Sequence, residues 1–202
     1  MWALVTDGSI TKIINQPKPL VIGDTQYSKN IFSFRWSNEE REAIGLYEVV
    51  FDNTNKKDEA YYNNTNQSFA FAGGAVTASY GSATAKALTD TLFTAQDEID
   101  GKGTEGEVKT EGLKTVKIRN IKLQAASELA RTDWYIVRKA DAGTAIPSAV
   151  TTYRAAVRTK SGEMETLIDN AANVDALAAL YEYTEQEDGS QTRPLGEFPE
   201  AV

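Results

Sequence analysis

The spacing of hydrophobic and polar positions changes near the middle of this chain. Before about residue 95 the apolar residues come in short runs broken by turn residues. Trp2-Ala3-Leu4-Val5 stops at Asp7-Gly8 and Ile10-Thr11-Lys12-Ile13-Ile14 resumes, which predicts a β-hairpin. Pro17 and Pro19 confine the next segment to a loop or sheet edge. Leu20-Val21-Ile22 and Ile31-Phe32-Ser33-Phe34 read as further strands. Ser37-Asn38-Glu39-Glu40 has the form of a capping box, so a short helix should run to about Ile44 and end at a left-handed Gly45. Residues 46–51 predict a strand and 52–58 a polar turn, with Tyr61-Tyr62 starting the returning strand. The clearest hairpin joins residues 68–72 to 75–80 through Gly73-Gly74, since two glycines permit positive φ at both turn positions. Residues 84–92 extend this region.

From 94 to 112 the chain is rich in Asp, Glu, Gly, Lys and Thr, which reads as a polar linker or exposed loop. Helical spacing follows. Ile118, Ile121, Ala125 and Leu129 form one stripe, with Val116 and Leu123 beside it. That helix should end at a Thr132-Asp133-Trp134 corner, followed by a loop of roughly a dozen residues and a second helix starting at Pro147. Val150, Tyr153, Val157, Met164, Leu167 and Ala171 recur at three- and four-residue steps, skipping Lys160. This approximates a heptad seam and predicts packing against another helix or a symmetry mate. Asn173 is placed to cap a third, shorter helix carrying Val174, Leu177, Leu180 and Tyr181. The expected fold is α+β: a β-rich domain with hairpins (1–93), a polar linker or loop (94–112), a helical domain built from a helical hairpin and a short third helix (113–184), and an extended tail (185–202).

Composition narrows the chemistry. With 202 residues, a formal net charge of −8 and basic residues interspersed with acids, a nucleic-acid partner is not expected. The densest basic run, from Lys109 to Lys122, reads as a solvated helix face. Cysteine and histidine are both absent, which removes disulfides, thiolate chemistry, the commonest general base and almost every zinc site. The expectation is a non-enzyme without cofactor or metal. No run approaches the roughly 18 apolar residues of a membrane span, and the first residues lack the pattern of a secretory signal. Synthesis in a cytoplasm and no membrane partner are therefore expected.

Local constellations mostly favour bland readings. Gly101-Lys102-Gly103-Thr104 lacks the spacing of a phosphate loop. Residues 52–58 are oxygen-rich, but lysines fall where a calcium loop needs its fifth ligand and its glycine. Glu163, Glu165 and Asp169 could be imagined as paired carboxylates for glycan hydrolysis, yet their polar neighbours place them on a solvated face. Tyr61, Tyr62, Phe69 and Phe71 read as core residues, or otherwise as an aromatic patch for binding a host surface. At the corner, Asp133 should accept backbone N–H groups while Trp134 buries its ring as an anchor; the alternative places Trp134 at an interface. In the tail, Leu195 and Phe198 stand between Pro194 and Pro199 as docking anchors, either on a neighbouring subunit or on the chain's own helices.

Leu129, Thr132-Asp133-Trp134, Pro147, Tyr153-Arg154, Val157 and Arg158 also form a pattern that resembles the C-terminal module of phage tail-fibre and tail-assembly proteins, the tail assembly chaperone family among them. The resemblance covers about residues 123–160. It implies a place in the virion tail, as a fibre or baseplate component in contact with other tail proteins, or a role as an assembly chaperone. The long β-rich front half favours the virion component. The resemblance brings no catalytic residues with it. Fibre proteins are commonly trimers, and the seam from Val150 to Ala171 suits a homo-oligomer or an intramolecular helical hairpin equally. The interface or anchor residues expected on these grounds are Asp133, Trp134, Tyr153, Val157, Leu195 and Phe198.

Overall fold

The computed structural model describes residues 1–202 and divides into two compact units, Met1–Thr84 and Ala85–Val202. The fold is mixed α+β, β-rich in the first unit and dominated by helices in the second.

In the first unit β1 (Trp2–Thr6) and β2 (Ser9–Ile14) form the expected hairpin. A small hairpin of β3 (Leu20–Ile22) and β4 (Thr25–Tyr27) follows. Residues 31–34 are not a strand. Lys29–Phe32 forms a 3-10 turn, because the Ser28 hydroxyl accepts from Asn30 N–H and Ser33 closes the other end on Asn30 O. α1 (Asn38–Ala43) carries the complete capping box between Ser37 and Glu40. Gly45 follows at φ +79°, and a Cβ there would lie 2.4 Å from Val5 O, so this residue is fixed by space as well as by conformation.

β5 (Leu46–Asp52) is the central strand of a five-stranded sheet ordered β2–β1–β5–β8–β7. Its second neighbour is not the Tyr61-Tyr62 segment. β6 (Tyr62–Asn63) is too short to offer a buried alternation and pairs instead with β9 (Thr84–Ala85). The position beside β5 goes to β8 (Ala75–Ser79), in parallel, with Val49 opposite Val76. β7 (Ser68–Ala72) completes the hairpin through Gly73 and Gly74, at φ +59° and +79°. The edge strands β2 and β7 approach each other, so the sheet curls. Ala3, Val5, Val49, Val76 and Ala78 fill one face with Phe69 and Phe71 against them. Ile14, Leu20, Ile31 and Leu46 fill the other beneath Trp2 and Trp36. The aromatic residues of β7 thus join the core, and Tyr61 is buried too.

In the second unit, residues 94–112 are an ordered part of the fold rather than a linker. β10 (Thr91–Leu92) pairs with β11 (Val108–Thr110), and between them α2 (Ala95–Ile99) is capped by Thr94 and Asp97 reciprocally. Few apolar residues are needed, because Asp97 also takes the Lys109 ammonium at 2.8 Å. That ammonium and the Thr94 N–H and hydroxyl hold the Asp97 carboxyl down at a pKa of about 2.

α3 (Leu113–Ala130) has no side-chain cap. Its first N–H groups go instead to the carbonyls of Ala87 and Leu88, and Gly112 N–H goes to the Asp90 carboxylate at 2.6 Å. α5 (Ser148–Asp169) begins after Pro147 as expected and packs against α3 within the same chain. Its buried line is Val150, Tyr153, Val157, Ser161, Met164 and Ile168: five steps spanning 18 residues, the period of a straight helix. Ser161 fills the gap left by skipping Lys160, Ile168 takes the place assigned to Leu167, and Leu167 is 38% exposed. The seam is therefore the intramolecular hairpin and not a heptad repeat. α6 (Val174–Ala179) is capped by Asn173 Oδ1 on Ala176 N–H, and buries Val174 and Leu177. The tail is not an extended arm. β12 (Thr184–Glu185) and β13 (Gln191–Thr192) form a small hairpin, and Leu195, fully buried, donates its N–H to Leu180 O at 3.0 Å.

Candidate functional site

The Thr-Asp-Trp corner is built by a residue of another helix. α3 ends at Ala130, and Thr132, 4% exposed, turns its hydroxyl back to Leu129 O at 3.0 Å. Arg154 of α5 is itself buried. Its Nη1 lies 2.8 Å from Leu129 O, 2.7 Å from Thr132 Oγ1 and 2.8 Å from the Asp133 carboxylate. One guanidinium therefore satisfies a helix-end carbonyl, a buried hydroxyl and an acid at the start of the next helix. Asp133 also sits favourably on that helix's positive end. The expected backbone N–H partners of Asp133 are replaced by Arg154.

Arg154 was the residue missing from the sequence-derived site. The signal for it was present: Arg154 stands four residues after Val150 and three before Val157, on the apolar stripe. A charge placed there needs buried acceptors.

Beside this corner Tyr153 donates its hydroxyl to Glu128 at 2.7 Å, and Glu128 also faces Arg131 at 3.5 Å. Burial first, and the Glu128 carboxylate second, push the Tyr153 phenol above its usual pKa. Tyr153, Val157 and Ala125 form a core cluster against which Leu129 and Phe198 pack. Four of the six expected residues, Asp133, Tyr153, Val157 and Phe198, thus gather along the α3–α5 seam. Leu195 is interior elsewhere, under the end of α6. Tyr153, Val157 and Leu195 are buried in this chain's own fold and act there as anchors.

Trp134 is not one. The segment after the corner, expected as a loop, is a helix, α4 (Asp133–Ala142), ended by Gly143 in the left-handed conformation. The true loop is only residues 143–147. α4 buries no residue at all. Trp134 is 51% exposed, Ile136 41% and Val137 66%. The Trp134 and Tyr135 rings lie 3.8 Å apart, and the Arg138 guanidinium sits 4.6 Å and 5.2 Å from their centroids. Arg138 Nε is shielded from solvent without a hydrogen-bond partner. Two aromatic rings and an arginine together are the residue types enriched at an interface centre.

Other charged groups are occupied locally. Lys114 donates to Asp169 O, the Lys117 ammonium lies 4.5 Å from the Tyr181 ring centre, Arg119 pairs with Glu111 and Lys122 with Glu165. Glu165 also accepts from the Ser161 hydroxyl at 2.9 Å. No group of three acidic side chains is placed to hold a metal ion, and no helix is long and apolar enough to cross a membrane. Comparison with protein-family models, with curated proteins and with solved structures finds no match to this chain.

Proposed function

We propose that this protein is a structural component of a phage tail, in the fibre or baseplate, and works by protein–protein contact through α4. The observation that carries the reading is a ten-residue helix without a buried residue, whose first turn is held by Asp133 on a buried arginine. The corner fixes the helix, and the helix turns Trp134, Ile136 and Val137 outward. Binding then orders few side chains, since the Trp134–Tyr135–Arg138 stack already exists in the free chain. The partner class comes from the Thr-Asp-Trp, Pro147 and Tyr153-Arg154 pattern, which resembles that of phage tail proteins.

Mass spectrometry of purified particles of the phage that encodes the chain tests the proposal. A structural part is recovered at a fixed copy number per particle. Recovery only from infected-cell lysate, bound to a tail protein, makes the chain an assembly chaperone and overturns the structural reading. Recovery with neither overturns the tail assignment.

A further inference from the structure

Phe34 is 95% exposed, more than any other large apolar side chain of the protein. A lone exposed apolar residue needs no explanation. This one stands on a built pedestal. Trp36 N–H closes a turn on Ser33 O at 3.2 Å, with Phe34 and Arg35 at its two central positions. Ser33 is tied to Asn30 O through both its N–H and its hydroxyl, and Ser33 O also takes the guanidinium of buried Arg41 at 2.5 Å. The flanking Ile31 and Trp36 pack into the core of the first unit. Both ends of the turn are pinned, so the backbone that carries the Phe34 ring outward is held in place.

The same unit carries a half-open groove of about 260 Å³ between β1, β5, α1 and the start of β8. Its apolar surface comes from Trp2 and the exposed Val50, with buried Leu46 beneath, and Glu42 and Glu48 stand on it as acids. Arg41 lines it too, but its hydrogen bonds run to Ile31 O, Ser33 O and Asn38 Oδ1, and its guanidinium lies 4.8 Å from the Trp2 ring centre. The free charge of the groove is thus acidic, while Arg35, beside Phe34, is basic.

We infer that Phe34 of one copy seats in this groove on a second copy, with Arg35 facing Glu42 and Glu48. The knob and the hole differ, so the contact closes as a reciprocal pair or a ring and otherwise propagates as a filament. Preorganisation of the turn lowers the ordering cost that a flexible aromatic tip would carry.

Light scattering and sedimentation of the full chain over a wide concentration range provide the test. The wild type should gain mass with concentration, and less so at high salt. Phe34→Ala should weaken association by about tenfold or more at an unchanged melting temperature, because the side chain it removes packs on little. Glu48→Arg should also weaken it, and Arg35→Glu combined with Glu48→Arg should restore it. A wild type that stays monomeric throughout, or Phe34→Ala that associates like the wild type, overturns the inference. Loss with Phe34→Ala but no response to either charge reversal overturns the groove as the seat.

Discussion

Arg154 shows how one residue can decide a local architecture. Its stem lies in the α3–α5 core and its head holds three oxygens of the corner. Asp133 is 58% exposed on its side chain, so the ion pair itself contributes little. The larger loss in Arg154→Met is that of the buried guanidinium's charge-assisted hydrogen bonds to the Thr132 hydroxyl and the Leu129 carbonyl, about 1.5–3 kcal/mol. Denaturant melts should show that loss, and Arg154→Lys should recover only part of it, since an ammonium is more strongly hydrated and costs more to bury than a guanidinium. Trp134→Ala should change stability by no more than about 0.5 kcal/mol, because the ring is half in solvent and packs only on Tyr135 and Arg138 of its own helix. Asp97 gives a pH signature. Its carboxyl is held at about 2 by Lys109 and Thr94, below the ordinary 3.8. The contribution is complete above pH 4 and disappears as pH falls towards 2. The stability gap between wild type and Asp97→Asn should therefore be constant from neutrality to about pH 4 and close below it. A gap that persists unchanged at pH 2 would show that Asp97 acts by shape alone.

Elements were legible where local chemistry decides them. The first hairpin, the Gly73-Gly74 hairpin, the Ser37 capping box, Pro147 at the start of α5 and the Asn173 cap all stand where the sequence puts them. What escaped depends on contacts distant in sequence. The parallel pairing of β5 with β8 needs a crossover whose strands are too short to announce it. α4 lacks a buried face, so no apolar stripe distinguishes it from a loop. Residues 94–112 read as linker because ion pairs and backbone bonds, and not apolar area, order them. The candidate site was legible as a location, in Thr132-Asp133-Trp134, while the roles within it were reversed: Trp134 faces out, and unassigned Arg154 holds the corner. The tail is a further test at this scale. Leu195 is fully buried and Phe198 packs on the Tyr153–Val157 cluster. Leu195→Ala should cost about 2–5 kcal/mol, read as a lower melting temperature of the second unit. Deleting residues 190–202 should cost at least as much; a truncated chain that melts like the intact one would remove the tail from the fold.

At the scale of the whole molecule, two outward features contribute little to holding the chain together: the Trp134 side of α4 and the Phe34 side chain. Hydroxyl-radical footprinting reads out whether a tail protein covers the Trp134 side of α4. The chain is labelled once free in solution and once within purified particles. Trp134 and Val137, which share one side of α4, should oxidise readily in the free protein and be protected in the particle, while Tyr183, 53% exposed on the tail hairpin's flank, labels alike in both. Equal labelling of Trp134 in the two states would contradict the proposed contact.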